Sequence, residues 1–268
     1  VRALLRGSRN DCHHPRVEMS GHLTYFISDV HLGVYCMDSD YQDKRFADFI
    51  EGLPAETEAI YLLGDIFDFW YEYRRVIPRG YTRSLGALAR LADSGTAIYF
   101  MRGNHDIWCY DYFEREIGMT VINRQPCITR IGDKTFCLGH GDGLCDMTLG
   151  FRFIRTIFHS KAAQKAFNLI HPNLAFDFGY KWASHSRKIK EDPEGKYVFK
   201  GMDTPICRFA DSFGKDKNID YYIFGHFHTP GDIDIPSGGH LFILGEWVKA
   251  PSCVVFDGEQ CRVRISCR

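Results

Sequence analysis

Five short polar clusters in this 268-residue chain carry the residue types that bind cations and move protons. They are Ser28-Asp29-Val30-His31, Gly64-Asp65, Gly103-Asn104-His105-Asp106, Gly139-His140-Gly141-Asp142 and Gly225-His226-Phe227-His228. Carboxylates and neutral imidazoles are the donors that suit Mn, Fe or Zn, and one carboxylate can bridge two ions. Two ions about 3.5–4 Å apart can activate water and clamp a phosphoryl group during in-line displacement. Taken singly, each cluster has a blander reading. Asp-x-His arises by chance, Gly-Asp after a strand is an ordinary turn, and a lone histidine such as His140 is more often simply hydrogen-bonded. Their number, their order and their shared placement, each directly after an apolar run, point to a dinuclear metal centre.

The elements that must position these clusters follow from apolar patterning. Residues 23–27, 59–63 and 96–101 read as buried strands, alternating with helical patterns over 41–51 and 81–94, the second closed by Gly95. After Gly118 short strands follow one another, among them 134–138, 221–224, 241–244 and 253–256. An α/β half followed by a β-rich half (α/β, or α+β) predicts two sheets packed face to face and covered by helices. Ligands bind at the carboxyl ends of strands in such sheets, so the five clusters can converge there. Asp29 and His31 lie two apart in what reads as an extended stretch, which puts both on one face. His226 and His228 repeat that spacing.

Composition narrows the class. Hydrophobic residues at 45% and charged residues at 25% are ordinary for a globular protein with a sizeable core, which excludes disordered, collagen-like and small disulfide-framed chains. No run of 18 apolar residues occurs. The ten cysteines form no C-x-x-C pair, so zinc-ribbon and thioredoxin readings have no basis, and they read as reduced thiols of a cytosolic protein. Residues 1–20 hold only a three-residue apolar run and read as a loose, disordered tail ahead of a single catalytic domain over 21–268.

Residues 150–195 interrupt the rhythm as a helical insertion, read as two helices over 149–169 and 174–190 divided at His171-Pro172. Between 150 and 190 eight bases face one acid, a local charge of +7 within a chain whose net charge is −1. Phe151, Ile154, Phe158, Ala162, Lys165 and Leu169 follow helical spacing. A basic, aromatic amphipathic helix suits an anionic membrane surface or the lining of an acyl-chain channel. The same pattern also fits helices that merely seat apolar side chains on the core. Ser186 and Lys190, four apart, share a face and could reach a nucleotide phosphate. Nucleic acid is not expected, because the basic patch is confined to one insertion.

As a set, D-x-H, G-D, G-N-H-D, G-H-G-D and G-H-x-H resemble the calcineurin-like metallophosphoesterase superfamily, from about Leu23 onward. The resemblance implies a β-sandwich flanked by helices with two metals at the sheet edge. It implies that Asp29, His31 and His228 bind one metal, that Asn104, His140 and His226 bind the other, and that Asp65 bridges them. His105 would contact the phosphate and assist the leaving group, with Asp106 orienting it. Within the superfamily, His140-Gly-Asp-Gly-Leu-Cys-Asp146, a basic insertion ending Ser184-His-Ser-Arg-Lys188, and Leu244-Gly-Glu-Trp247 are similar to the UDP-2,3-diacylglucosamine hydrolase family of lipid A biosynthesis. That likeness implies a peripheral enzyme at the cytoplasmic face of the inner membrane, generally using manganese, with no obligate protein partner. Its reaction splits the pyrophosphate of its lipid-linked UDP-sugar, releasing UMP and 2,3-diacylglucosamine 1-phosphate. Asp146 matches the family's acidic position and is carried over as a substrate contact. Here His105 stands where better-known members carry Arg. Alternatives on the same scaffold are hydrolysis of a phosphoprotein, a cyclic nucleotide or a nucleic acid, or a non-catalytic binding role, which would ordinarily have lost some of the filled ligand positions.

Overall fold

Strand β1 (Leu23–Ile27) shows why the core has two sides: Tyr25 and Ile27 face one apolar cluster, and Phe26 faces another. β2 (Thr57–Leu63) repeats this, with Ile60 and Leu62 on the first side and Tyr61 and Leu63 on the second. Side chains alternate at period 2, and a strand buried on both faces therefore reads as a continuous apolar run. The computed structural model describes residues 23–34, 36–145, 149–190 and 199–265, with the side chains of 149, 151 and 185–190 outside that description. The 1–20 tail lies outside the described residues.

Together with β3 (Ala97–Met101), β4 (Thr120–Ile122), β10 (Ser252–Phe256) and β11 (Cys261–Ile265), these strands form a six-stranded sheet in the order β11-β10-β1-β2-β3-β4. β1 to β4 run parallel, and β10 pairs antiparallel with β1. A five-stranded sheet, β5-β6-β7-β9-β8, combines β5 (Cys127–Ile131), β6 (Lys134–Gly139), β7 (Tyr221–Phe224), β8 (Gly231–Asp234) and β9 (His240–Ile243). The sheets meet through Phe26, Tyr61, Phe136, Ile223 and Phe256, with Phe26 stacked on Phe136 at 5.4 Å. Helices α1 (Ser39–Glu51) and α2 (Thr82–Asp93) cover the outer face of the first sheet. Helix α6 (Pro205–Gly214) covers the second. β1, β2, β3, β6 and β7 all end at one edge, and the five polar clusters begin there.

The insertion departs from expectation. It forms three helices, α3 (Leu149–His159), α4 (Lys161–Phe167) and α5 (Pro172–Lys190). Ser160 breaks the first expected helix: its Oγ accepts from the Ala163 amide at 3.4 Å and starts a new one, as N-cap serines do. Residues 151–169 therefore present no single continuous face.

Candidate metal centre

Asp29, His31, Asp65, His226 and His228 all adopt left-handed backbone conformations, with φ between 51° and 70°. This corrects the extended reading of Asp29-Val-His31. Each such residue costs about 1–2 kcal/mol relative to ordinary backbone, so the surrounding loops must hold it in place. They do so amide by amide. The Asp29 N–H donates to Gly64 O (3.1 Å), His31 N–H to Asp65 O (3.0 Å) and Trp247 N–H to Asp29 O (3.0 Å). Gly103 and Gly225 serve close approach: a Cβ on Gly103 would strike Asp65, and one on Gly225 would strike Ser28 and Asp29.

The bends gather the side chains into two sets that share Asp65. Asp29, His31, Asp65 and His228 bring their ligand atoms within 4.8 Å of one another, and so do Asp65, His140 and His226. His228 Nε2 lies 3.3 Å from Asp29 Oδ1, and His140 Nε2 lies 3.3 Å from both Asp65 Oδ2 and Asn104 Oδ1. Asp29, His31, Asp65 and His140 are fully buried. Among the described residues Asp29 Oδ1 and Asp65 Oδ2 have no hydrogen-bond partner, although both are buried. Buried carboxylate oxygens rarely go unsatisfied. Here both point at imidazole nitrogens in a set of oxygen and nitrogen donors, so the residues fit a pair of divalent cations.

Outside this set, acceptors face the rings of His31, His228 and His140. His31 Nδ1 lies 3.4 Å from Asp68 Oδ1, His228 Nδ1 is 2.9 Å from Glu246 Oε2, and His140 Nδ1 is 2.9 Å from Leu63 O. A proton held at Nδ1 leaves Nε2 as the donor atom facing the site, the usual arrangement behind a metal-ligating histidine. His105 is handled alike, with Nδ1 2.7 Å from Asp68 O. Asp106, expected to orient His105, engages backbone amides. Its carboxylate accepts the amides of Gly103 (2.7 Å), Ile66 (2.8 Å) and Asp65 (3.2 Å), tying the loops after β2 and β3 together. Asp68 and Glu246 have no place among the expected site residues. Glu246 lies within the Gly-Glu-Trp run, and Asp68 follows Asp65 by three positions, which is their only signal in the sequence.

The electrostatics follow from this packing. Burial opposes ionisation of Asp29 and Asp65, yet neighbouring imidazoles outweigh it and hold both carboxyls well below the ordinary range. Burial likewise disfavours the His140 cation, but Asp65 overrides it and raises the ring to about 10. Asp106 is pushed up to about 7 by burial and by the charge on Asp65.

The Calcineurin-like phosphoesterase family profile matches residues 23–230. The chain is a calcineurin-like phosphoesterase. Members of this family are hydrolases that work with divalent metal. It is 33% identical over 246 residues to a protein of Porphyromonas gingivalis named UDP-2,3-diacylglucosamine hydrolase, covering 87% of this chain and 94% of that one. A protein of the same name from Neisseria meningitidis serogroup B is 30% identical over 230 residues, covering 83% and 89%. One from Aeromonas salmonicida is 29% identical over 241 residues, covering 88% and 91%.

In this phosphoesterase the insertion lies over the metal edge. Trp182 of α5 reaches the His105 ring (centroids 5.9 Å apart) and meets Phe158 of α3 at 4.8 Å. Phe69, Tyr71 and Trp108, from the loops after β2 and β3, pack with Phe158, Phe167, Phe176 and Tyr180. Trp108 Nε1 donates to Phe158 O (2.8 Å) and Tyr71 Oη to Gln164 O (3.0 Å). The inner aromatics thus seat the helices on the core. The outer side differs: Phe153, Leu169, Leu174 and Phe178 are 58–87% exposed among the exposed bases Arg152, Lys165 and Lys181. No helix among the described residues is long and apolar enough to cross a membrane. Asp146 lies outside the described residues, as do the side chains of Ser186 and Lys190 at the end of α5.

Proposed function

We propose that this phosphoesterase hydrolyses the pyrophosphate bond of UDP-2,3-diacylglucosamine, giving UMP and 2,3-diacylglucosamine 1-phosphate. The observation that carries the substrate is the 33% likeness to a protein of that activity over 94% of its length. The domain over 21–268 would carry the 150–195 insertion as a lid for the acylated half. Asp29, His31 and His228 would hold one divalent ion and Asn104, His140 and His226 the other, with Asp65 shared; manganese is the ion put forward. Bound there, the two ions would supply an acidified water and positive charge at the phosphate oxygens. The protein's part is to keep the imidazoles oriented and Asp29 and Asp65 ionised, as their surroundings favour. His105, with its Nδ1 proton directed to Asp68 O, presents Nε2 to the transferred phosphoryl group, where the cation would stabilise developing charge and protonate the departing oxygen. Asp106 keeps the His105 loop against the Asp65 loop. Asp146 is assigned to substrate contact by likeness, and Ser186 and Lys190 by their shared helix face.

The exposed apolar residues and bases of the insertion support peripheral binding to an anionic membrane, at the cytoplasmic face of the inner membrane. The reading needs no protein partner and no nucleic acid. The test is mass-spectrometric product analysis after incubating Mn²⁺-loaded protein with UDP-2,3-diacylglucosamine in mixed micelles. UMP together with the acylated sugar 1-phosphate is expected. Turnover of a generic aryl phosphodiester without either product would refute the lipid assignment and leave the family intact.

A further inference from the structure

A cavity of about 580 Å³ opens beside the second metal set, between the ends of β3 and β4 and the overhanging α3 and α4. Gly103 and Asp142 belong to its wall, and their neighbours Asn104 and His140 touch across the candidate metal centre at 3.3 Å. Arg102, Arg124, Arg155 and Lys161 line it against the single acid Asp142. That acid is already engaged: Gln125 Nε2 donates to its Oδ1 at 2.6 Å and Arg155 Nε to its Oδ2 at 3.3 Å. Arg124 and Lys161 have no ion pair or hydrogen bond among the described residues. Met101, Ile107, Ile122 and Pro126 give the cavity an apolar floor. Two basic donors without partners among the described residues, beside an apolar lining, suit an anionic group attached to a ring.

A second cavity, on the far side of the centre beside Asp68, carries Lys44, Arg79 and Arg83 against Asp40, Asp43 and Asp68, a balanced set with no preference for an anion. We infer that the cavity under α3 and α4 is the binding site for the nucleoside monophosphate half of the substrate. The phosphate would be drawn by Arg124, Arg155 and Lys161, and the base would lie on the apolar floor. The acylated half is then left for the opposite side of the centre. This inference rests on the proposed pyrophosphatase reading for its ligand.

The test uses UMP and uridine, which lacks the phosphate, as competing inhibitors of aryl phosphodiester hydrolysis by the full chain. In Arg124→Ala and in Lys161→Ala the ratio of the UMP to the uridine inhibition constant should rise by about tenfold or more, the size of a lost charge-assisted contact. Lys44→Ala, at the mouth of the other cavity, should leave the ratio unchanged. Equilibrium dialysis of UMP should show the same order of affinities. A ratio indifferent to Arg124 and Lys161, or one that responds to Lys44 instead, overturns the site. The two readings fail separately. A ratio that depends on Arg124 in a protein releasing no UMP from UDP-2,3-diacylglucosamine keeps the pocket and removes the lipid substrate, whereas UMP release with an indifferent ratio does the reverse.

Discussion

The sheet edge and the helical insertion face each other across His105 and Trp182, and they are held in different ways. At the edge, five functional residues sit in left-handed backbone, amides from neighbouring loops bind one another, and each ring nitrogen turned away from the centre of His31, His140 and His228 meets an acceptor. The insertion is held by side chains. Aromatic rings from Phe69, Tyr71 and Trp108 meet rings from α3, α4 and α5, and tyrosine or tryptophan donors catch helix carbonyls. Backbone strain persists only where the surroundings over-determine it, so the edge tolerates little change without losing its geometry. Side-chain seating tolerates repacking. On the proposed function, the chemistry falls to the edge and the choice of substrate to the insertion.

The change with the largest expected effect tests the edge. Asp65→Asn removes the shared charge while keeping a residue type that accepts φ near 52°. The amide oxygen can still accept from the His105 N–H, now 2.8 Å from Asp65 Oδ1. Hydrolysis of lipid and aryl substrates alike should fall by at least about a hundredfold, and bound metal, measured by mass spectrometry, should fall with it. Retained metal and near-normal turnover would break the assignment of Asp65 as the shared carboxylate.

How much of this was legible in the sequence follows the same division. β1, β2 and β7 were readable because both faces of each are buried, which leaves an uninterrupted apolar run. β8 and β11 were not: Asp232 and Asp234 interrupt one, and four of the five residues of the other are exposed, so no apolar period marks them. At the site, residue type and order identified the side chains that the structure brings together. Their backbone was misread, because Asp-x-His spacing fits an extended stretch as well as two left-handed bends. Asp68 and Glu246 escaped notice because a carboxylate that orients a ring is defined by a partner distant in sequence. Glu246 and His228 are 18 positions apart, joined only by the return of the chain through β8 and β9.

A smaller effect should separate the two faces of the insertion. Replacing Phe153, Leu169 and Leu174 by Ser removes three side chains that are 63–87% exposed and belong to no described core cluster. Co-sedimentation with vesicles containing anionic lipid should weaken by about tenfold or more, given roughly 1.5–3 kcal/mol for burying each such side chain fully. Aryl phosphodiester turnover should be unchanged. Equal vesicle binding by the variant would remove the membrane role from this face.

Next comes the seat itself. Gly179 lets α5 lie directly on Phe69, and a Cβ there would collide with the Phe69 ring. Gly179→Ala should lift α5 and destabilise the seating by about 1–3 kcal/mol, seen as faster proteolysis between 150 and 190. Turnover of the lipid substrate should drop while that of the aryl ester persists. Loss of both together would show that edge and insertion are mechanically one unit, against the contrast drawn above.

The smallest expected effect is in the pH dependence of stability, and it too divides the two regions. Glu246 has an ordinary value of 4.5; burial would raise it, but the bonds from His228 and Lys249 prevail and hold it at about 2. A carboxyl depressed on folding contributes stability that is complete above 4.5 and is lost as pH falls from there toward 2. In metal-stripped protein, Glu246→Gln should therefore melt roughly 2–4 °C below wild type near neutrality, corresponding to about 1 kcal/mol in a chain of this size. That gap should close progressively between pH 4.5 and 2. The seat of the insertion around Phe69 is built from aromatic rings, so the deficit of Gly179→Ala should stay constant over the same range. If instead the Glu246→Gln deficit is the same at pH 6 and pH 3, the residue acts through shape and not through its charge on His228, and the ring would have to be held by its other neighbours, Asp29 and His31, alone.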